Sequence, residues 1–115
     1  MVAASIAYWL VGLLAAPLAR LLFVLSGAVL VTPWTLVTSV YAHTGVGHLL
    51  SNALVIFVAG VPVAATTTRV RFHTFVLATG ALAGLSQVAL AGPGAPLGVG
   101  VVGISGAGSA VVGYA

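Results

Sequence analysis

The chain has 115 residues, 62% of them hydrophobic, and its only charged side chains are Arg20, Arg69 and Arg71, with no Asp or Glu. A soluble domain carries roughly a quarter charged residues, so this composition excludes an ordinary water-facing surface and indicates an integral membrane protein. Three dispersed arginines make no nucleic-acid footprint, and the absence of cysteine excludes disulfides, thiolate nucleophiles and Cys-based metal sites.

The first apolar run, about residues 3–19, ends near Pro17 and Arg20 and is long enough to cross ~30 Å of hydrocarbon at about 1.5 Å per residue. An Ala-Ala-Pro near its end faintly suggests a signal-peptide cleavage site, but the run lacks a charged n-region, so a first span is expected. Ser26, Gly27, Thr32, Pro33, Trp34, Thr35, Thr38, Ser39 and Tyr41 then interrupt the hydrophobicity. This pattern predicts an embedded, partly re-entrant loop over about 20–46, with Trp34 and Tyr41 at headgroup level. A second span is expected over 47–64, closed by the polar turn Thr66-Thr67-Thr68-Arg69-Val70-Arg71. A third covers 72–91, ended by Gly92-Pro93-Gly94 and Pro96. A fourth starts near Ser105 and covers 105–115, a rise of only about 16 Å, and is expected to be unfinished. The expected fold is therefore all-α, a polytopic transmembrane helical bundle forming a single domain.

The arginine pair sets the expected orientation. Arg69 and Arg71 place the 65–71 loop in the cytoplasm by the positive-inside rule, and the amino terminus with it, while Arg20 opposes them. The 20–43 and 92–104 segments then face outward, which brings His48 and Ser105 to the same side of a cell membrane crossed several times.

A serine, a histidine and an asparagine are costly in lipid, and their presence in so apolar a chain asks for a chemical reason. Gly103-Ile104-Ser105-Gly106 puts a hydroxyl at the mouth of a helix, where Gly106 leaves the serine's backbone N–H open to a substrate oxygen; the plainer alternative is a helix N-cap. His48 and Asn52, four apart, share one helical face and can serve as paired donors to a developing oxyanion. Alternatively each satisfies a backbone carbonyl or a neighbouring helix. A zinc site of His43, His48 and His73 is disfavoured, since no carboxylate or cysteine is available, His73 belongs to the opposite side, and the spacing is not His-Glu-x-x-His. Gly98-Val99-Gly100-Val101-Val102-Gly103 matches G-x-G-x-x-G, but no acidic residue exists to hold a ribose, so the match is compositional. Small residues here are expected to allow close helix approach, as is the G-x-x-x-G pair Gly80 and Gly84.

Taken in order, Trp34-Thr35-Leu36-Val37-Thr38-Ser39-Val40-Tyr41-Ala42-His43, His48-Leu49-Leu50-Ser51-Asn52 and Gly103-Ile104-Ser105-Gly106-Ala107 resemble the core of the rhomboid intramembrane serine proteases over about residues 33–115. The resemblance implies that Ser105 is the nucleophile, that His48 and Asn52 stabilise the oxyanion, and that His43 is a structural histidine of the loop. It also implies a six-span bundle, about four spans of which are present, with an embedded first loop. The activity implied is endopeptidase cleavage of transmembrane protein substrates within the lipid bilayer, with no cofactor, metal or nucleic acid. The chain departs from the family pattern at Thr35, where an arginine is usual, near Ala64, where an acidic residue is usual, and at Ser109, where an aromatic is frequent. The family's general base is a later histidine, and none follows Ser105. The expectation is a truncated core, inactive alone, with a pseudoprotease that binds membrane helices as the alternative. A piece of a small transporter or structural membrane module is a third.

Overall fold

A computed structural model describes residues 1–91 and 100–114 of the chain. The described residues form helices α1 (Val2–Leu14), α2 (Ala16–Phe23), α3 (Thr35–Tyr41), α4 (Val46–Val55), α5 (Val61–Ala65), α6 (Arg69–Ala91) and α7 (Ser105–Tyr114), with a π-helical turn, Ile56–Gly60, joining α4 to α5. Among the described residues two helical stretches are long and apolar enough to cross a membrane, Val46–Ala65 and Arg69–Ala91. The Gly92-Pro93-Gly94 break, Pro96, most of the 92–104 segment and Ala115 lie outside the described residues.

Where one helix is expected over 3–19, two are found. The helical path stops at Ala15, which leaves helical geometry (φ −156°, ψ 86°) and whose N–H closes α1 on the Val11 carbonyl at 2.7 Å. Pro17 is the reason. Its ring would meet the carbonyl of Leu13 in a continuous helix and it has no N–H to donate, whereas in the first turn of α2 neither defect matters. The 13 residues of α1 rise about 20 Å, short of a full crossing.

The segment expected to be irregular contains the end of α2, turns over 27–31, and α3. The last carbonyls of α2 have no partner within their helix. Side chains from α3 and its N-cap supply them: Thr38 Oγ1 donates to Leu22 O at 2.6 Å and the Trp34 indole to Leu21 O at 2.9 Å. Thr32 Oγ1 donates to Ala28 O at 3.1 Å and Thr35 Oγ1 to Thr32 O at 2.6 Å. Broken chain is tolerable in a membrane protein when its backbone groups are satisfied internally in this way.

The π turn falls immediately before Pro62, where a proline cannot continue the regular ladder and the register shifts to absorb it. The longest helix, α6, presents glycines to three neighbours. A Cβ at Gly80 would lie 3.0 Å from both γ carbons of Val40 and 3.6 Å from the Ala107 Cβ, and one at Gly84 would lie 2.7 Å from Leu25 Cδ2. Across the α6–α7 seam, a Cβ at Gly106 would overlap that of Ala83. These contacts match the close approach expected of the G-x-x-x-G spacing. They enclose a core of Val40, Val63, Val76, Ile104, Ala107 and Val111, while Leu13, Leu14, Phe57, Val58, Leu82 and Leu90 point outward.

Backbone pairing fastens the chain that leads into α7. Leu25 and Val101 form an antiparallel bridge, with N–H to O distances of 3.1 and 2.8 Å, and Gly100 leaves the space that Val24 fills.

Gly106→Val should destabilise the protein by about 1–3 kcal/mol through overpacking against Ala83. Gly113→Ala, with nothing within 4 Å of the added methyl, should change stability by no more than about 1 kcal/mol. Thermal unfolding of both variants in the same detergent, followed by circular dichroism, checks the contrast.

Candidate functional site

Two elements build the site: the loop from His43 into α4, and the Gly103–Ser105 entry to α7. His43 lies between α3 and α4, outside the two long apolar stretches, and is fully buried. Its Nδ1 is 3.1 Å from Ser5 Oγ of α1, and its backbone carbonyl accepts the Trp9 indole N–H at 2.7 Å. Nε2 has no hydrogen-bond partner among the described residues. Burial, and then the nearby His48, hold the His43 imidazole below its ordinary 6.5, at about 4.

His48 stands one turn into α4 with its ring edge-on to that of His43, centroids 5.2 Å apart and planes at 73°. Its Nδ1 is 3.3 Å from Thr44 Oγ1. When the threonine hydroxyl donates there, the ring proton sits on Nε2, leaving a neutral donor. Against both imidazole rings lies Gly103, whose φ is +121°. A Cβ there would lie 2.7 Å from His48 Cε1 and 3.0 Å from Nε2, and 3.6 Å from His43 Cδ2. Only glycine satisfies both the dihedral and the space. The Gly103 N–H donates to Ser39 O at 2.7 Å, which ties the entry of α7 to α3.

Asn52 is buried on the next turn of α4, and its Nδ2 donates to His48 O at 2.8 Å. The plainer expectation thus holds for one of its two amide hydrogens. Ser105 is the first residue of α7 and is exposed. The capping alternative does not apply, because Ile104 occupies the cap position, its carbonyl accepting the Gly108 N–H at 2.8 Å. Ser105 Oγ makes no hydrogen bond among the described residues, although its carbonyl accepts Ser109 Oγ at 3.1 Å. At a helix start the backbone N–H groups point outward and carry partial positive charge.

His48, Ser51, Asn52, Val55, Ser105, Ser109 and Val112 line one open groove of about 470 Å³. The structure thus brings three of the four expected site residues to one surface and places His43 behind His48. His73 is elsewhere, exposed near the start of α6 beside Phe72. Around that same end Tyr114 packs on Phe75 at 5.7 Å and shares a pocket with Arg71, so the length of α7, about 15 Å, separates it from Ser105. Sequence reasoning missed Ser5, Trp9 and Thr44. Ser5 and Trp9 are polar groups inside an apolar helix, a signal of the same kind that drew attention to Asn52.

The family model described as the Rhomboid domain matches residues 31–115, most of the chain, and the chain belongs to the rhomboid family. The match begins after α2 and covers every residue that lines the groove. Comparison with curated proteins and with solved structures gives no match.

The depressed His43 pKa links stability to pH. The unfolded chain takes up this proton near 6.5 and the folded protein only near 4, so the stabilisation is fully present above pH 6.5 and is lost as pH falls from 6.5 through about 4. The thermal midpoint in detergent should decline across that window, and His43→Asn should remove most of the decline. A midpoint already falling between pH 8 and pH 7 would contradict this assignment.

Proposed function

We propose that this rhomboid-family protein is an intramembrane serine endopeptidase that cuts transmembrane substrates near their outer ends. The observation that supports this reading is the groove in which an exposed, unbonded serine hydroxyl at a helix start shares walls with His48 and Asn52. In the proposed reaction Ser105 Oγ attacks the scissile carbonyl carbon and passes its proton to a base. The carbonyl oxygen becomes an oxyanion, which the second Asn52 amide hydrogen, His48 Nε2–H and the Ser105 backbone N–H stabilise as preorganised donors. Collapse expels the amine with a proton from the base and leaves an acyl-serine, which water then hydrolyses.

A serine hydroxyl needs that base. His43 is fully buried, His73 belongs to the other end of α7, and His48 is assigned to the oxyanion. The proposal therefore places the base on a histidine of a further helix outside residues 1–115, as the family pattern implies. Exposed Val112, two turns along α7 from Ser105, offers the groove an apolar rim suited to a substrate helix.

Catalysis is tested in the full-length protein reconstituted in liposomes with a fluorogenic transmembrane substrate. Ser105→Ala should abolish cleavage, and Asn52→Ala or His48→Ala should lower kcat by about 10²–10³ with little change in KM. Cleavage by the Ser105→Ala protein would exclude a serine mechanism, and substrate binding without cleavage by the wild type would establish the binding-only alternative.

The proposed orientation has its own test in this cysteine-free chain. Thr44→Cys should react with a membrane-impermeant maleimide from outside intact cells, and Thr67→Cys only after the membrane is opened. Reaction of both from the same side would overturn the orientation.

A further inference from the structure

Ser5 is a polar residue on an otherwise apolar helix, and it is fully buried. A buried hydroxyl is costly unless it is bonded. Three acceptors or partners surround this one: Met1 O at 3.0 Å, His43 Nδ1 at 3.1 Å and Tyr41 O at 3.4 Å. One hydrogen can serve one of them. Closing on the carbonyl four residues back is the ordinary choice of a helical serine, and it leaves an Oγ lone pair to receive a hydrogen from His43 Nδ1. The reverse arrangement would put the ring hydrogen on Nε2, which is buried with no partner among the described residues. A buried donor without an acceptor is the rarer and costlier defect, so Ser5 holds His43 as the Nδ1–H tautomer.

From His43 the contacts run to the reacting serine without a gap. The His43 ring abuts the His48 ring at 5.2 Å, Gly103 lies against both rings, and Gly103 is two residues before Ser105. We propose that Ser5 is a positioning residue: its hydrogen bond to His43 fixes the ring that backs His48, and so sets where His48 and the Gly103–Ser105 turn stand relative to each other. The inference rests on the catalytic reading above for its effect on turnover. Ser5 lies outside residues 31–115, so it places behind the groove a group that the family match does not contain. Trp9, on the same helix, bonds only the His43 backbone carbonyl and supplies the control.

The test uses full-length protein in lipid nanodiscs with 15N-labelled histidine, comparing wild type, Ser5→Ala and Trp9→Phe. In the wild type the His43 ring nitrogens should report hydrogen on Nδ1. Ser5→Ala should shift the ring signals of both His43 and His48 and lower kcat about tenfold, with KM within about twofold. Ser5→Thr, which keeps the hydroxyl, should recover most of the loss. Trp9→Phe should lower thermal stability while leaving the His48 ring signals in place. Unchanged ring signals in Ser5→Ala overturn the proposal, as does an equal loss of kcat in Trp9→Phe, which would reduce Ser5 to a docking contact of α1. Failure of the catalytic reading is separate: the wild type would then leave the substrate uncut, and displacement of the His48 signals by Ser5→Ala would still establish the positioning link.

Discussion

Lipid offers no hydrogen-bond partner, and most of the polar side chains in this protein are engaged in meeting that constraint. Thr32, Thr35, Thr38, Ser51, Asn52, Thr79, Ser86 and Ser109 each donate to a backbone carbonyl, as do the indoles of Trp9 and Trp34. Several of these hydroxyls and the Asn52 amide close on carbonyls three or four residues back in their own helix, while Thr38 and Trp34 bond the carbonyls that the end of α2 leaves free. The Ser105 hydroxyl is not engaged in this way. It is exposed at a helix start, and no carbonyl or ring nitrogen among the described residues engages it.

Close packing delivers that hydroxyl to its neighbours. Gly106 lets α7 close on Ala83 of α6, while Gly80 and Gly84 admit Val40 of α3 and Leu25 to the same helix, and α7 is thereby held with its first residue at the groove. Gly103 does the corresponding work at the turn, where a positive φ and the His48 ring together leave room only for a hydrogen. The glycines that make the sequence look featureless are thus what allow the helices and the turn to meet closely enough to form the groove.

The positions that depart from the usual family pattern have local roles of their own. Thr35 is fully buried and caps the turn before α3 through Thr32 O, and Ser109, exposed in the groove, returns its hydroxyl to the Ser105 carbonyl. Ser109 also leaves the rim beside Ser105 less filled than an aromatic side chain would. Behind the groove, α1 reaches the site through two side chains, one to the His43 ring and one to its carbonyl. A helix far from Ser105 in sequence thereby braces the loop that carries His43.

Composition alone determined the solvent, because 62% hydrophobic residues with three charges cannot cover a water-facing surface. Periodicity and punctuation located the two long helices to within a few residues, since their ends are marked by the Thr66–Arg71 turn and by glycine and proline, which act locally. Spacing likewise put His48 and Asn52 on one face and the hydroxyl of Ser105 at a helix mouth. The break at Ala15 was also open to reading at Pro17, but apolar length dominated the expectation of one span. What no local rule contains is the folding of α1 onto the His43 loop, the helical form of 35–41, the bridge between Leu25 and Val101, and the ring of His48 against Gly103. These depend on which carbonyls were left unpaired and which surfaces could approach, and both are settled only when segments distant in the chain are packed together.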